Sequence, residues 1–169
     1  LGGVSNHYIG LQNKWTLNVI YNKIGSRNKI PFFILLPFDI FKFILKCLIY
    51  KPYLIVLNPS LGLNALRRDS LFLFFSKMLN INTIVFFHGW DLEVEKKIDE
   101  GSYDIFNNYK KTDLFLVLAS DFKKKLIEWG FKAEIKLTST KVDDDLLKSF
   151  NIEKKPKNNN ILFLSRIEE

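Results

Sequence analysis

Cysteine is nearly missing from this chain: Cys47 stands alone among 169 residues, and only His7 and His88 accompany it as soft metal ligands. An internal disulfide is therefore excluded, and a zinc site closed by Cys and His has too few ligands. The lone thiol fits a reducing compartment. No long uninterrupted apolar run exists either. The most apolar stretch, Ile30 to Tyr50, is interrupted by Asp39, Lys42 and Lys46 and is expected to be broken by Pro37, so a transmembrane span, which wants about 20 residues with few charges, is rejected. An initiator Met and a basic-then-apolar leader are lacking, so no targeting signal is visible and the start reads as cut from something longer. Three chemistry-bearing signatures are absent as well: the Gly-x-x-x-x-Gly-Lys phosphate loop, the Gly-x-Gly-x-x-Gly dinucleotide turn and the Gly-x-Ser-x-Gly hydrolase elbow.

What is present is core material. With 47% hydrophobic residues, 16 Phe and 25% charged residues, the chain has the composition of one packed domain, not of a disordered, collagen-like or coiled-coil sequence. Lys and Arg number 25 against 18 Asp and Glu, giving +7 at neutral pH, a balance that favours anionic partners. The basic clusters Arg67-Arg68, Lys96-Lys97, Lys110-Lys111 and Lys123-Lys124-Lys125 are scattered along the chain. Nucleic-acid binding would want them on one face, so no nucleic-acid partner is expected.

Along the chain, Val4, Tyr8, Leu11 and Trp15 recur at helical spacing directly after Gly2-Gly3, and Thr16 to Tyr21 reads as a short strand. A helix is expected over Phe38 to Tyr50, with Asp39, Lys42 and Lys46 as one polar stripe on an otherwise apolar element that must be largely covered; Pro52 ends it. Tyr53 to Leu57 is a compact apolar run closed by Asn58-Pro59, the pattern of a buried parallel strand. Leu71, Phe74, Phe75, Met78 and Leu79 mark a helix face. Thr83 to Phe87 repeats the buried-strand pattern and runs into a loop, His88-Gly89-Trp90-Asp91. A helix near Ser102 to Lys111, a strand Leu114 to Leu118, a helix Ser120 to Trp129 stopped by Gly130, and a strand near Glu134 to Leu137 complete the alternation. Strands alternating with helices predict an α/β domain, a Rossmann-like doubly wound parallel sheet with helices on both faces, over residues 1–150. Asn151 to Asn160 has no apolar period and reads as a linker, after which Ile161 to Leu164 starts a strand with no following helix: residues 161–169 are expected to begin a second domain.

In open α/β sheets ligands bind at the carboxyl ends of the strands. That rule selects Gly2-Gly3, Asn58-Pro59-Ser60, His88-Gly89-Trp90-Asp91, Ala119-Ser120, Ser139-Thr140 and Ser165-Arg166. Gly2-Gly3 before a helix admits an anion to the positive helix end, or is simply a tight turn. His88 follows a buried strand and precedes a glycine that leaves room for a ligand, so it can donate a hydrogen bond or shuttle a proton, or serve only in packing. Asp91 orients a substrate hydroxyl or caps the next turn. Trp90 offers a flat face for a sugar, or packs.

Gly2-Gly3-Val4-Ser5-Asn6-His7 opening a helix, His88-Gly89-Trp90-Asp91 after a strand, and Ile161 to Glu168 with Ser165-Arg166 after a linker together resemble the N-terminal half of a GT-B glycosyltransferase of family four, the group-1 glycosyltransferases. The resemblance implies two Rossmann-like domains facing across a cleft, with a saccharide or lipid-linked acceptor on the first and a nucleotide-sugar donor on the second. It implies metal-independent transfer, usually retaining, with no cofactor beyond the nucleotide-sugar substrate. Gly2, Gly3 and Arg166 would approach the donor diphosphate, His88 would sit at the reaction centre, and Asn58, Ser60, Trp90 and Asp91 would touch acceptor or sugar. The family's Asn-Gly before Val-Asp is Thr140-Lys141 before Val142-Asp143 here. The family's first strand would precede Leu1 and its paired donor-binding glutamates would follow Glu169, so this piece is expected to have no transferase activity of its own. Location is expected in the cytoplasm, with the inner face of the membrane as a working place. Two rival readings stand beside this one: a basic peripheral module on an anionic membrane surface, and another GT-B enzyme such as a nucleotide-sugar epimerase.

Overall fold

The computed structural model describes residues 3–12, 14–24, 30–101 and 104–140. In chain order these form α1 (Gly3–Leu11), α2 (Phe32–Tyr50), β1 (Leu54–Leu57), β2 (Ser60–Leu61), α3 (Leu63–Met78), β3 (Asn82–Phe87), β4 (Gly89–Trp90), α4 (Leu92–Asp99), a 3-10 helix (Asp104–Lys111), β5 (Leu114–Val117), α5 (Ser120–Glu128) and β6 (Glu134–Leu137). The expected linker at 151–160, the strand from Ile161, and the boundary at residue 150 lie outside the described residues.

The fold is α/β, built on a four-stranded parallel sheet in the order β1-β3-β5-β6. Register places Leu57, Val85, Phe115 and Ile135 in one row, and Phe87 and Val117 in the next on the same face. All six are buried. Leu66, Phe72 and Leu73 of α3, Phe43 and Cys47 of α2, Tyr109 of the 3-10 helix and Leu126 of α5 close over them in a single core. The opposite face is thinly covered: Leu54 and Val56 are exposed, and Ile84, Leu114 and Leu116 only half-buried.

Helices on both faces are the sequence expectation; the crossover helices α3, α4 and α5 cover one face of the sheet, and on the other the buried Phe86 meets His7 of α1 at 5.9 Å. The physical reason the crossovers share a face is the strand order. It advances in one direction without reversing, and successive right-handed crossovers then deliver their helices to the same side.

Other elements depart from expectation for local reasons. No strand forms over 16–21, and Trp15 lies beyond the end of α1; the segment is held instead by side chains, with Trp15 Nε1 donating to the Tyr21 hydroxyl (2.6 Å) and Lys46 Nζ to the Tyr21 carbonyl (2.8 Å). Helix α2 starts six residues before Phe38 and runs through Pro37, which therefore does not break it. Pro37 lies in the second turn, where it forfeits one bond to the Phe33 carbonyl. Asp39 is buried, so it belongs to the inward face and not to an exposed polar stripe, while the outward apolar residues stay uncovered.

Helix α3 likewise turns a different face inward. Phe74 and Met78 are exposed, and Asp69, Ser70 and Ser76 are buried. Those polar groups are satisfied nearby: Ser76 Oγ donates to the Phe72 carbonyl at 2.7 Å, Ser70 Oγ to Arg67 at 2.8 Å, and Arg68 Nε to Asp69 Oδ1 at 2.5 Å. A satisfied hydroxyl enters a core at little cost. The expected α-helix ending at Lys111 is a 3-10 helix from Asp104, anchored by the buried Tyr109 hydroxyl on the Leu66 carbonyl at 2.9 Å. As expected, α5 stops before Gly130, whose φ of 80° suits a residue without Cβ.

Candidate functional site

The loops leaving β1 and β3 do not splay apart. After one or two residues they pair again as β2 and β4, with Ser60 opposite Gly89 and Leu61 opposite Trp90. The His88 amide donates to the Pro59 carbonyl at 3.3 Å and the Asp91 amide to Leu61 at 3.2 Å. The stretch expected to be an open loop is therefore half strand. Its pairing sets Asn58 and His88 side by side at the carboxyl ends of their strands.

Helix α1 comes down on the same spot. Tyr8 donates its hydroxyl to Asn58 Oδ1 at 2.5 Å, and the His88 Nε2 is 3.2 Å from the same oxygen. Asn58 is oriented by its own amide, whose Nδ2 donates to the Val56 carbonyl at 3.3 Å. With Oδ1 as shared acceptor, His88 is the Nε2–H tautomer and Nδ1 is left as its acceptor nitrogen. The His88 ring lies on Phe86 with centroids 3.7 Å apart, and His7 stands edge-on to it at 5.1 Å. Burial, and then the neighbouring His7, push the His88 imidazole down to about 4. Burial raises the Tyr8 phenol to about 12 against the pull of Asn58. At neutral pH the Tyr8 and His88 groups are thus uncharged, a phenol and an imidazole meeting on one amide oxygen.

Such a cluster is suited to hydrogen bonding with a neutral polyol. A histidine kept neutral over the whole physiological range works as a fixed acceptor or donor more than as a proton reservoir.

The other sequence-selected residues divide. Gly3 opens α1, one turn or about 6 Å along the axis from His7; Gly2 and Arg166 lie outside the described residues. Ser60 is exposed beside the cluster's loop. A Cβ on Gly89 would meet the Ser60 Cβ at 3.1 Å, so the glycine serves close approach of the two loops instead of leaving room for a ligand. Trp90 is committed to packing: its ring stacks on Phe122 at 4.2 Å and runs parallel to Trp129 at 5.7 Å, and Nε1 donates to Glu95 Oε2. Asp91 is the N-cap of α4, accepting from the amides of Glu93 (2.9 Å) and Val94 (3.3 Å). For both residues the packing or capping role is the one the geometry bears out. Ala119 and Ser120 start α5, and Ser139 and Thr140 follow β6; neither pair has a bond to the Asn58–His88 cluster.

His7 and Tyr8 were not selected by sequence as site residues. Tyr8 was placed only as an apolar helical position, and its phenolic tip was the available hint.

Among the described residues no group of His, Cys, Asp and Glu is arranged to hold a metal ion. A hollow of about 440 Å³ lies away from this cluster. It opens at the amino ends of β1 and β3, between Cys47, Lys51, Tyr53 and Asn80. That groove lies where α2 and α3 end, at the rim of the sheet opposite the Asn58–His88 cluster. Comparison of the chain with protein-family models, with curated proteins and with solved structures gives no match.

Proposed function

We propose that this chain forms one wall of a sugar-binding cleft and serves as the acceptor-side part of a glycosyltransferase that uses a nucleotide-sugar donor. The single observation that carries this is the meeting of Tyr8, Asn58 and His88 at the carboxyl ends of β1 and β3. It supports the reading because a glycine-initiated helix and a histidine-bearing strand exit, far apart in sequence, reach one another there. Fixed neutral donors and acceptors are what discriminates among hydroxyls, since leaving one unpaired in a half-buried site costs about 1–3 kcal/mol.

In this role His88 contacts a sugar hydroxyl through Nδ1, Asn58 sets the His88 tautomer, and Tyr8 locks Asn58. Gly3 brings backbone amides of α1 towards the donor side, and Gly2 and Arg166 belong to the same donor-side proposal, with Ser60 at the cleft edge. Trp90 and Asp91 are supporting residues.

The test is release of nucleoside diphosphate by the natural full-length protein, offered a panel of nucleotide-sugars with saccharide and lipid-linked acceptors. The wild type should turn over at least one pair, and His88→Ala should lower turnover about 100-fold with an unchanged circular dichroism spectrum. Undiminished turnover in His88→Ala removes His88 from the site, and an inert wild type across the panel overturns the proposal.

A further inference from the structure

Helix α2 is built inside out for a solvent-facing element. Its inward side, Leu36, Asp39, Ile40, Phe43 and Cys47, is buried or half-buried against the core. The opposite side carries Ile34, Phe38, Phe41, Leu45, Leu48 and Ile49 at three- and four-residue steps, and all six are exposed, Phe38 at 69%, Phe41 at 62% and Ile49 at 68%. Those steps make one continuous stripe about 22 Å long. Its area is on the order of several hundred Å², at the upper limit for a monomer surface that has no partner. The segment that Lys46 fastens to the flank of α2, through Tyr21 and Asn22, adds exposed Leu17 and Ile20.

Charge says what kind of partner this is. The basic residues are scattered, but the acids are not. Residues 1–68 hold nine Lys and Arg (Lys14, Lys23, Arg27, Lys29, Lys42, Lys46, Lys51, Arg67 and Arg68) and one acid, Asp39, which is buried on the inward side. Residues 69–169 hold sixteen basic and seventeen acidic side chains, so the entire net charge of +7 originates in the part that carries the apolar stripe. Lys42 is exposed on α2 itself, Lys51 ends it, and Lys14 and Lys23 flank the adjoining segment. Phenylalanines and long aliphatics outward with lysines around them is the pattern of a helix lying in a membrane interface, apolar side down. Crossing is not the alternative, since among the described residues no helix is long and apolar enough to span a bilayer.

We infer that the outward stripe of α2 docks this protein on an anionic phospholipid surface. The phenylalanines enter the headgroup boundary and the basic excess supplies attraction that salt screens. The inference does not depend on the glycosyltransferase reading.

Vesicle flotation tests it with the chain as it stands, using phosphatidylcholine alone and phosphatidylcholine mixed with phosphatidylglycerol. Binding to the mixed vesicles should exceed binding to phosphatidylcholine at least about tenfold and fall as salt is added. Phe38→Ser with Phe41→Ser should lower it about tenfold again, and Lys42→Gln, which leaves the stripe intact, about fivefold. Circular dichroism should be unchanged in both variants. Equal binding to both vesicle types, no binding to either, or binding that ignores both variants overturns the inference. A stripe-dependent dimer in lipid-free sedimentation, without flotation, overturns it in favour of a second copy as the occupant.

Discussion

The two parts of this molecule solve the problem of burying apolar surface in opposite ways. From Arg68 onward, charges of both signs meet: Lys125 lies 2.9 Å from Asp99 and 3.7 Å from Glu95, Lys77 pairs with Asp113, and the Asp113 carboxylate also accepts from the Thr83 amide at 2.6 Å. The apolar rows of β3 and β5 are closed to water. Before Arg68, acids are nearly absent and α2 points Phe38 and Phe41 outward. The later part balances its acids and bases against one another on its own surface. The earlier part has apolar area and charge that its own residues do not neutralise, and such a surface is explained by what lies outside it.

The sharpest way to break this comparison is to exchange a phenylalanine in each part. Phe115 in β5 is fully buried and stacked parallel to Phe87 at 6.1 Å. Phe115→Ala should cost about 3–5 kcal/mol, the transfer of the ring plus the cavity left behind. Phe41→Ser in α2 should move stability by no more than about 0.5 kcal/mol, because the ring is already in water. Urea unfolding of both variants measures this. A large loss from Phe41→Ser would mean that α2 packs its outer face within the monomer.

A second exchange probes the boundary itself. Arg68 makes two bonds to Asp69, at 2.5 and 3.1 Å, and Asp69 is 1% exposed. Burial raises the Asp69 carboxyl and Arg68 works against it. Removing the cation strands a buried carboxylate, so Arg68→Ala should destabilise by about 3 kcal/mol, and adding Asp69→Ala should recover part of that loss. A double variant as unstable as the sum of its singles would show that the pair is not coupled.

The same contrast decides what could be foreseen from sequence. The strands at 54–57, 82–87 and 114–117 were legible as short, mostly apolar runs and that at 134–137 as an alternation of charged and apolar residues, each with its own stop signals, a local property. The inward face of α2 was not, since Asp39, which its spacing groups with Lys42 and Lys46 on a polar stripe, is buried, and no period reports that. The inward face of α3 was misjudged because Ser70 and Ser76 are satisfied within their own helix, which no hydropathy pattern reports. At the site, Asn58 and His88 were found by position after a strand, which is a rule of topology. His7 and Tyr8 were missed because nothing local says which strand exit a helix will cover. Trp90 was ambiguous for the same reason: its ring partners, Phe122 and Trp129, are more than thirty residues away.

His88 sits where the two parts join, and its titration reports whether they are closed on one another. Unfolded, a histidine has a pKa of about 6.5; folded, burial and then His7 depress His88 to about 4. Between those values the unfolded chain takes up a proton that the folded chain refuses. Its contribution to stability is therefore fully present above about 6.5, falls as pH drops towards about 4, and is level below that. The urea midpoint should accordingly be lower at pH 5 than at pH 7, and His88→Asn, which keeps a polar side chain without a titrating ring, should lose part of that difference. The ring proton of His88 followed by NMR should show a midpoint near 4. A midpoint near 6.5 would mean that α1 does not close over the strand ends, and the shared oxygen of Asn58 would then join nothing.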